Sequence, residues 1–262
     1  MTSFQENGFY LEEKCFSEKE LYDILSSVHK LFIQQMDLVG FLYELDQKKL
    51  LKASSLFEFY NTHQDKYLAS LRAVQRLLSV YKIAVNEKVV TILKKLGLKN
   101  PNFNVRPILT MKSQNTAQSF ANWKIPPHQD YRSMQGSLNS IVLWIPLIDV
   151  SVENGAVEVI VGSHKQGLYP TVEDEWYRHI EEKDLNGNFV SVPMKAGSAL
   201  FFSSFLIHQS GENTSDEFRY SLEVRFDDFS EDYYIRESYI SPYNTPIADQ
   251  NLVNKSAIEI NK

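Results

Sequence analysis

The stretch RYSLEVRF, residues 219 to 226, constrains this chain more than any other. In an extended chain, alternate side chains fall on opposite faces, so Arg219, Ser221, Glu223 and Arg225 share one face while Tyr220, Leu222, Val224 and Phe226 share the other. One face is charged and one is apolar. The apolar face calls for a covering layer, and the charged face then lines the interior of a barrel or sandwich, where polar side chains usually serve a ligand.

The covering layer is legible upstream. From Ser17, SEKELYDILSSVHKLF opens with a capping box, Ser17 answering Glu20, and repeats apolar residues at Leu21, Ile24, Leu25, Val28 and Leu31. The same spacing predicts a helix over Asp65 to Val85 and a third over Glu87 to Leu96, stopped by Gly97. From about residue 103 the texture turns to short β-rich runs: Val105 to Thr110, Ser140 to Ile148, Ala156 to Val161, Phe189 to Val192, Ser198 to Phe202 and Tyr220 to Phe226. Asn154-Gly155 and Asn186-Gly187 mark tight turns between them. The expectation is a mainly β sandwich or barrel with flanking α-helices. No repeat or Pro-rich linker divides it, so residues 1–262 read as a single domain: a mainly helical part over 1–100, a β core over 101–228 and a tail over 229–262.

Composition narrows the function. A content of 43% hydrophobic and 13% aromatic residues is that of a globular chain, and a net charge of −6 argues against a nucleic-acid partner. A small molecule is the expected partner. The one cysteine, Cys15, makes no internal disulfide and no thiolate cage, which suits a cytoplasmic setting and leaves metal binding to His, Asp and Glu. No run of about 18 apolar residues and no signal-like N-terminus is found, so no membrane partner is expected.

The stretch PPHQDYR, residues 126 to 132, brings in chemistry. Two prolines bias the chain to be extended, so His128 and Asp130 point to the same side. His208, which follows the apolar run Ala199 to Phe202, is the best third ligand. Two imidazoles and one carboxylate on one face of an ion suit non-haem Fe(II), with zinc as an alternative. On the polar face of the next strand, Arg219 with Ser221 offers a guanidinium fork and a hydroxyl to a carboxylate, with Arg225 as the runner-up. His29, His63, His164 and His179 read as ordinary histidines.

The order HQD, SIVLWIPLIDV, ENGAVEVIVGSHK and AGSALFFSSFLIHQSGENTSDEFRYSLEVRF resembles the phytanoyl-CoA dioxygenase family of Fe(II)/2-oxoglutarate oxygenases over roughly residues 103 to 228. The resemblance implies a double-stranded β-helix, or jelly roll, with the N-terminal helices packed on one sheet. It implies that His128, Asp130 and His208 hold Fe(II), that Arg219 holds the distal carboxylate of 2-oxoglutarate, and that Ser210 and Trp144 contact that cosubstrate. The activity implied is oxidation of a small metabolite by O2, with decarboxylation of 2-oxoglutarate to succinate. Asp130 stands where related halogenases have a small residue, which favours hydroxylation.

Substrate identity is less legible. The expected walls are Phe120 to Lys124, Tyr131 to Gln135, Tyr169 to His179 and the aromatic tail FSEDYYIRESYISPYNTP, which reads as a lid, a homodimer contact or a chain end on the surface. An acyl-CoA would call for a basic patch, and Lys94-Lys95 is only a pair; an amino acid or sugar derivative is preferred. Two other classes stay open, a cupin-like metal protein without redox chemistry and a jelly-roll sugar-binding module.

Overall fold

The computed structural model describes residues 3–116, 124–173 and 178–242. A short helix α1 (Ser3–Asn7) and strand β1 (Phe9–Glu12) lead into α2 (Glu18–Leu38). The capping box at Ser17 forms, with Glu20 N–H donating to the Ser17 hydroxyl at 3.3 Å and Ser17 N–H to the Glu20 carboxylate at 2.8 Å. Then come α3 (Ala53–Thr62), α4 (Gln64–Ala73), α5 (Leu78–Ala84) and α6 (Glu87–Leu96). Gly97 ends α6 with φ +119°, and Leu98 N–H returns to Leu93 O at 3.1 Å.

Two helical expectations are corrected. The segment from Asp65 to Val85 is broken into α4, a 3-10 turn at Val74–Arg76 and α5, with Leu77 extended between them. Gln75 explains the position of the break, because its side-chain amide makes two 2.7 Å hydrogen bonds to the N–H and C=O of Leu109. Helix α3 was not among the predicted helices. Its sequence ASSLFEFYNT is rich in Ser, Thr and aromatics, which are mediocre helix formers, and burial of Leu56, Phe59 and Tyr60 overrides that preference.

The β region contains β2 (Pro101–Phe103), β3 (Ile108–Lys112), helix α7 (Asp130–Met134), β4 (Ile141–Pro146), β5 (Val157–Val159), β6 (Val172–Glu173), β7 (Arg178–His179), β8 (Val190–Val192), β9 (Ala199–Ser203), β10 (His208–Ser210) and β11 (Arg219–Asp228). Helix α8 (Asp232–Arg236) follows. The run predicted over Val105 to Thr110 is displaced into β3 and preceded by β2. Pro107 has no N–H for a ladder, and Asn104 N–H instead donates to Arg225 O at 2.9 Å. The other predicted strands fall within two residues of the observed bounds.

All strand pairings among the described residues are antiparallel. One sheet runs β1-β9-β4-β11-β2, with β3 also on β11; a second runs β10-β5-β8; β6 and β7 form a separate pair. The two main sheets face each other as a double-stranded β-helix. Strand β4 is buried along its whole length and divides its side chains between two cores. Ile141, Leu143 and Ile145 join the helices, together with Tyr220, Leu222, Val224 and Phe226 of β11. Val142 and Trp144 face inward with Phe202, Val157 and Val159. Each fully buried Leu, Ile, Val or Phe contributes on the order of 1.5–3 kcal/mol, so the helical layer is part of the fold's main core. Among the described residues no helix is long and apolar enough to cross a membrane.

Candidate metal centre

Backbone pairing builds the centre. His128 N–H donates to His208 O and His208 N–H to His128 O, each at 3.0 Å, so the two histidines face each other across an antiparallel bridge. Their rings lie 4.2 Å apart between centroids. Gln129 is extended, with φ −121° and ψ 124°, so Asp130 returns to the side of His128 before α7 begins. The Gln129 side chain is buried and saturated, donating to Gly167 O at 2.8 Å and Phe205 O at 2.6 Å and accepting from Tyr169 N–H at 2.8 Å. It ties the ligand loop to two neighbouring segments. Tyr131 N–H donates to Ser204 O at 3.0 Å, and its ring stacks on Phe205.

One ligand atom from each of His128, Asp130 and His208 falls within 4.8 Å of the others, and His128 Nε2 is 3.4 Å from Asp130 Oδ1. No other such group of three occurs among the described residues. His128 Nδ1 is 2.8 Å from Pro126 O and His208 Nδ1 is 3.0 Å from Leu206 O. A carbonyl needs a donor, so each Nδ1 carries a proton and Nε2 is the ring atom left to face an ion. Burial, and then the neighbouring His128, pushes the His208 imidazole down to about 3, which keeps it neutral. At Asp130 burial acts to raise the carboxyl, but the Arg225 guanidinium, with both imidazoles, outweighs it and holds the carboxyl well below the usual range. A buried carboxylate beside two imidazoles fits a divalent transition metal.

Arg225 belongs to this end of the barrel. Its Nε donates to Asp130 Oδ2 at 2.7 Å, and its Nη2 to Asp130 Oδ1 at 3.2 Å and to Glu223 Oε2 at 3.0 Å. The runner-up for the carboxylate clamp is thus paired with Asp130 and Glu223.

Arg219 is buried farther along the same face of β11, where its Nη1 donates to Gly155 O. Gly155 has φ +86°, and a Cβ there would stand 2.8 Å from Gly211 O and 3.1 Å from Arg219 Nη1, so only glycine lets the turn approach. The guanidinium lies over the Trp144 ring at 5.9 Å. Directly opposite, in the β3–β11 register, stands Lys112, with Nζ 3.2 Å from Ser210 Oγ. Burial, followed by Arg219, pushes the Lys112 ammonium down to about 7, and burial pushes Arg219 down to about 10. Arg219 Nε is buried without a partner among the described residues. Two buried like charges and an orphaned donor fit an anionic group.

Lys112, Gln129 and the pairing of Arg225 with Asp130 were not read from the sequence. The predicted strand stopped at Thr110, although Lys112 shares that residue's face. Ser221 is fully buried with its hydroxyl 2.7 Å from Thr110 Oγ1. Lys112, Ser210 and Arg219 also line a cavity of about 710 Å³ whose walls include Pro126, Leu185 and Phe189. Of the expected substrate walls, residues 120–123, 174–177 and 243–246 lie outside the described residues. Lys124 lines the cavity, whereas Tyr131 and Tyr169 are buried in the fold. In the tail, Tyr233, Tyr234 and Ile240 pack with Leu138, and Leu138 N–H donates to Glu231 at 3.2 Å.

Comparison with known proteins follows the same lines. A phytanoyl-CoA dioxygenase from Arabidopsis thaliana is 36% identical over 130 residues, 45% of this chain and 44% of the relative. The peroxisomal phytanoyl-CoA dioxygenase of Bos taurus is 31% identical over 112 residues, 39% of this chain and 33% of the relative. The chain thus matches less than half the length of these curated relatives. Among solved structures, the epimerase SnoN in complex with Fe3+, alpha ketoglutarate and nogalamycin RO aligns with a TM-score of 0.60 at 16% identity, over 86% of this chain and 81% of that one. This similarity is one of fold. The phytanoyl-CoA dioxygenase (PhyH) family matches residues 4–221, and the chain belongs to that family.

Proposed function

We propose that this protein is a single-domain Fe(II)- and 2-oxoglutarate-dependent dioxygenase that hydroxylates a small metabolite. The observation that carries the reading is the convergence of His128, Asp130 and His208, the two histidines lining one small cavity with the buried pair Arg219 and Lys112. Iron bound with 2-oxoglutarate and O2 supplies the oxidising power, and succinate and CO2 are the coproducts. The chain's own contribution is binding, orientation and exclusion of water. The two Nδ1 bonds to backbone carbonyls orient the imidazoles so that Nε2 of each is the atom offered to the ion. Arg219 and Lys112 take the distal carboxylate of the cosubstrate, with Ser210 and Trp144 fixing their positions and Ser221 backing the clamp on the same strand face. No side chain is required as a general acid or base. The cavity's mixed lining, with Pro126, Pro127, Leu185 and Phe189 beside Gln114, Gln209 and Asn213, supports a small amphiphilic substrate such as an amino acid or sugar derivative. The lone thiol supports a cytoplasmic setting.

The test is succinate release from 2-oxoglutarate across a panel of small metabolites, alongside anaerobic titration of the Fe(II)-loaded chain with 2-oxoglutarate. The reading requires a weak visible charge-transfer band and succinate release that a substrate accelerates. Metal uptake without the band would leave the non-redox cupin-like protein, and no uptake would leave the sugar-binding module.

A further inference from the structure

Within the metal-binding reading, the carboxylate ligand has its own support. A carboxylate can meet an ion through one oxygen or through both, and a two-oxygen grip uses a coordination position that a chelating cosubstrate needs. At Asp130 the two oxygens are not equivalent. Oδ1 lies 3.4 Å from His128 Nε2, on the side where the imidazoles converge, and receives only the longer 3.2 Å bond from Arg225 Nη2, whereas Oδ2 receives the 2.7 Å bond from Arg225 Nε. The fork is braced in turn by Glu223, which accepts from Nη2 at 3.0 Å.

We propose that Arg225 is a positioning residue for the metal site: its guanidinium grips both oxygens of Asp130, more closely at Oδ2, and so sets the carboxylate plane with Oδ1 toward the imidazoles, while Glu223 holds the guanidinium in that orientation. Three features support this role over simple charge neutralisation. The contact is two-pronged, one bond to each oxygen, a geometry that fixes a carboxylate's plane as well as balancing its charge. Asp130 is 3% and Arg225 8% exposed, so water cannot substitute for the fork. Arg225 and Glu223 also stand two apart on the inward face of β11, so a rigid strand sets their separation. Neutralisation and positioning predict opposite signs. Deleting a cation beside a metal-binding carboxylate strengthens its pull on the ion, whereas deleting a group that aims the carboxylate weakens binding.

The experiment is titration of the metal-free chain with Co(II), followed by the quenching of Trp fluorescence and by the visible Co(II) spectrum. Thermal melting of each metal-free variant controls for folding. Arg225→Met is expected to bind Co(II) about 10- to 100-fold more weakly, the usual loss for a partner of a metal ligand, and to change the Co(II) band shape. Arg225→Lys, which keeps the charge without the fork, should recover only part of the affinity. Glu223→Gln, which leaves the contacts to Asp130 in place, should lose only a few-fold. Equal or tighter binding by a folded Arg225→Met would overturn the assignment, as would full recovery by Arg225→Lys. If Arg225→Met does not fold, unchanged affinity and spectrum in Arg225→Lys overturn it instead. A wild-type chain that takes up no Co(II) or Fe(II) would remove the underlying metal reading, an outcome distinct from failure of the variants alone.

Discussion

The two ends of the barrel interior handle charge in opposite ways. At the metal end, Asp130, Arg225 and Glu223 form a connected run of ion pairs, and both imidazoles have their Nδ1 atoms bonded. At the clamp end, Lys112 and Arg219 are buried facing one another; among the described residues neither forms an ion pair, only the charge of Glu223 acts on both, and Arg219 Nε has no partner. Like charges directly opposite each other in a sheet are destabilising. The first end is organised before any ligand arrives, whereas the second carries a standing electrostatic cost that an anion would relieve.

The largest expected effect comes from breaking the organised end. Asp130→Ala should bring metal uptake and succinate release to background. It should also cost up to ~3–5 kcal/mol of stability, because Arg225 stays buried without its main partner; metal analysis, a succinate assay and chemical denaturation together test this. At the other end, Arg219→Leu should leave metal binding intact while raising the KM for 2-oxoglutarate about 10- to 100-fold, the worth of one to two charge-assisted hydrogen bonds. An unchanged KM would show that the two ends do not divide the work in this way.

Lys112→Met sharpens the contrast, because two signs are predicted at once. Cosubstrate affinity should fall roughly 10-fold, while the melting temperature of the ligand-free chain should rise by about 2–4 °C for each kcal/mol of repulsion relieved. A fall in both would mean that Lys112 is not under electrostatic strain. The smallest effect is in pH dependence. Folded Lys112 gives up its proton near 7, whereas an unfolded lysine keeps it until about 10.4. Between these values the unfolded chain holds the extra proton, so the penalty that Lys112 places on stability is complete below about 7 and fades as pH rises toward 10.4. The gap in unfolding free energy between Lys112→Met and wild type should narrow over that interval. Binding of 2-oxoglutarate should weaken as pH climbs past 7, and Lys112→Met should flatten that slope.

Local rules made part of this molecule legible. Alternation in RYSLEVRF identifies both faces of β11, the capping box identifies the start of α2, and an extended HQD brings His128 and Asp130 to one side. What was missed depends on contacts across the fold. No periodicity in residues 65–85 reveals that Gln75 will be drawn to the backbone of Leu109, and with it the break before α5. Arg219 and Arg225 have the same parity and chemistry, so sequence alone ranks them only by their distance from His208. Register gives them different surroundings, setting Arg219 opposite Lys112 and Arg225 against Asp130. Strand β1 escaped for a similar reason, since Phe9–Glu12 is too short to declare itself and is defined by pairing with Phe202–Ala199.

The mutual bridge between His128 and His208 has a kinetic consequence. These residues are distant along the chain, and the contact that joins them is non-local, of the kind whose loop-closure entropy must be met before the contact gives any return. The ion-binding cradle should therefore assemble late, after the strands between them have found their order. A nascent or partly folded chain would then offer no competent chelate, and acquisition of iron would report that the jelly roll has closed.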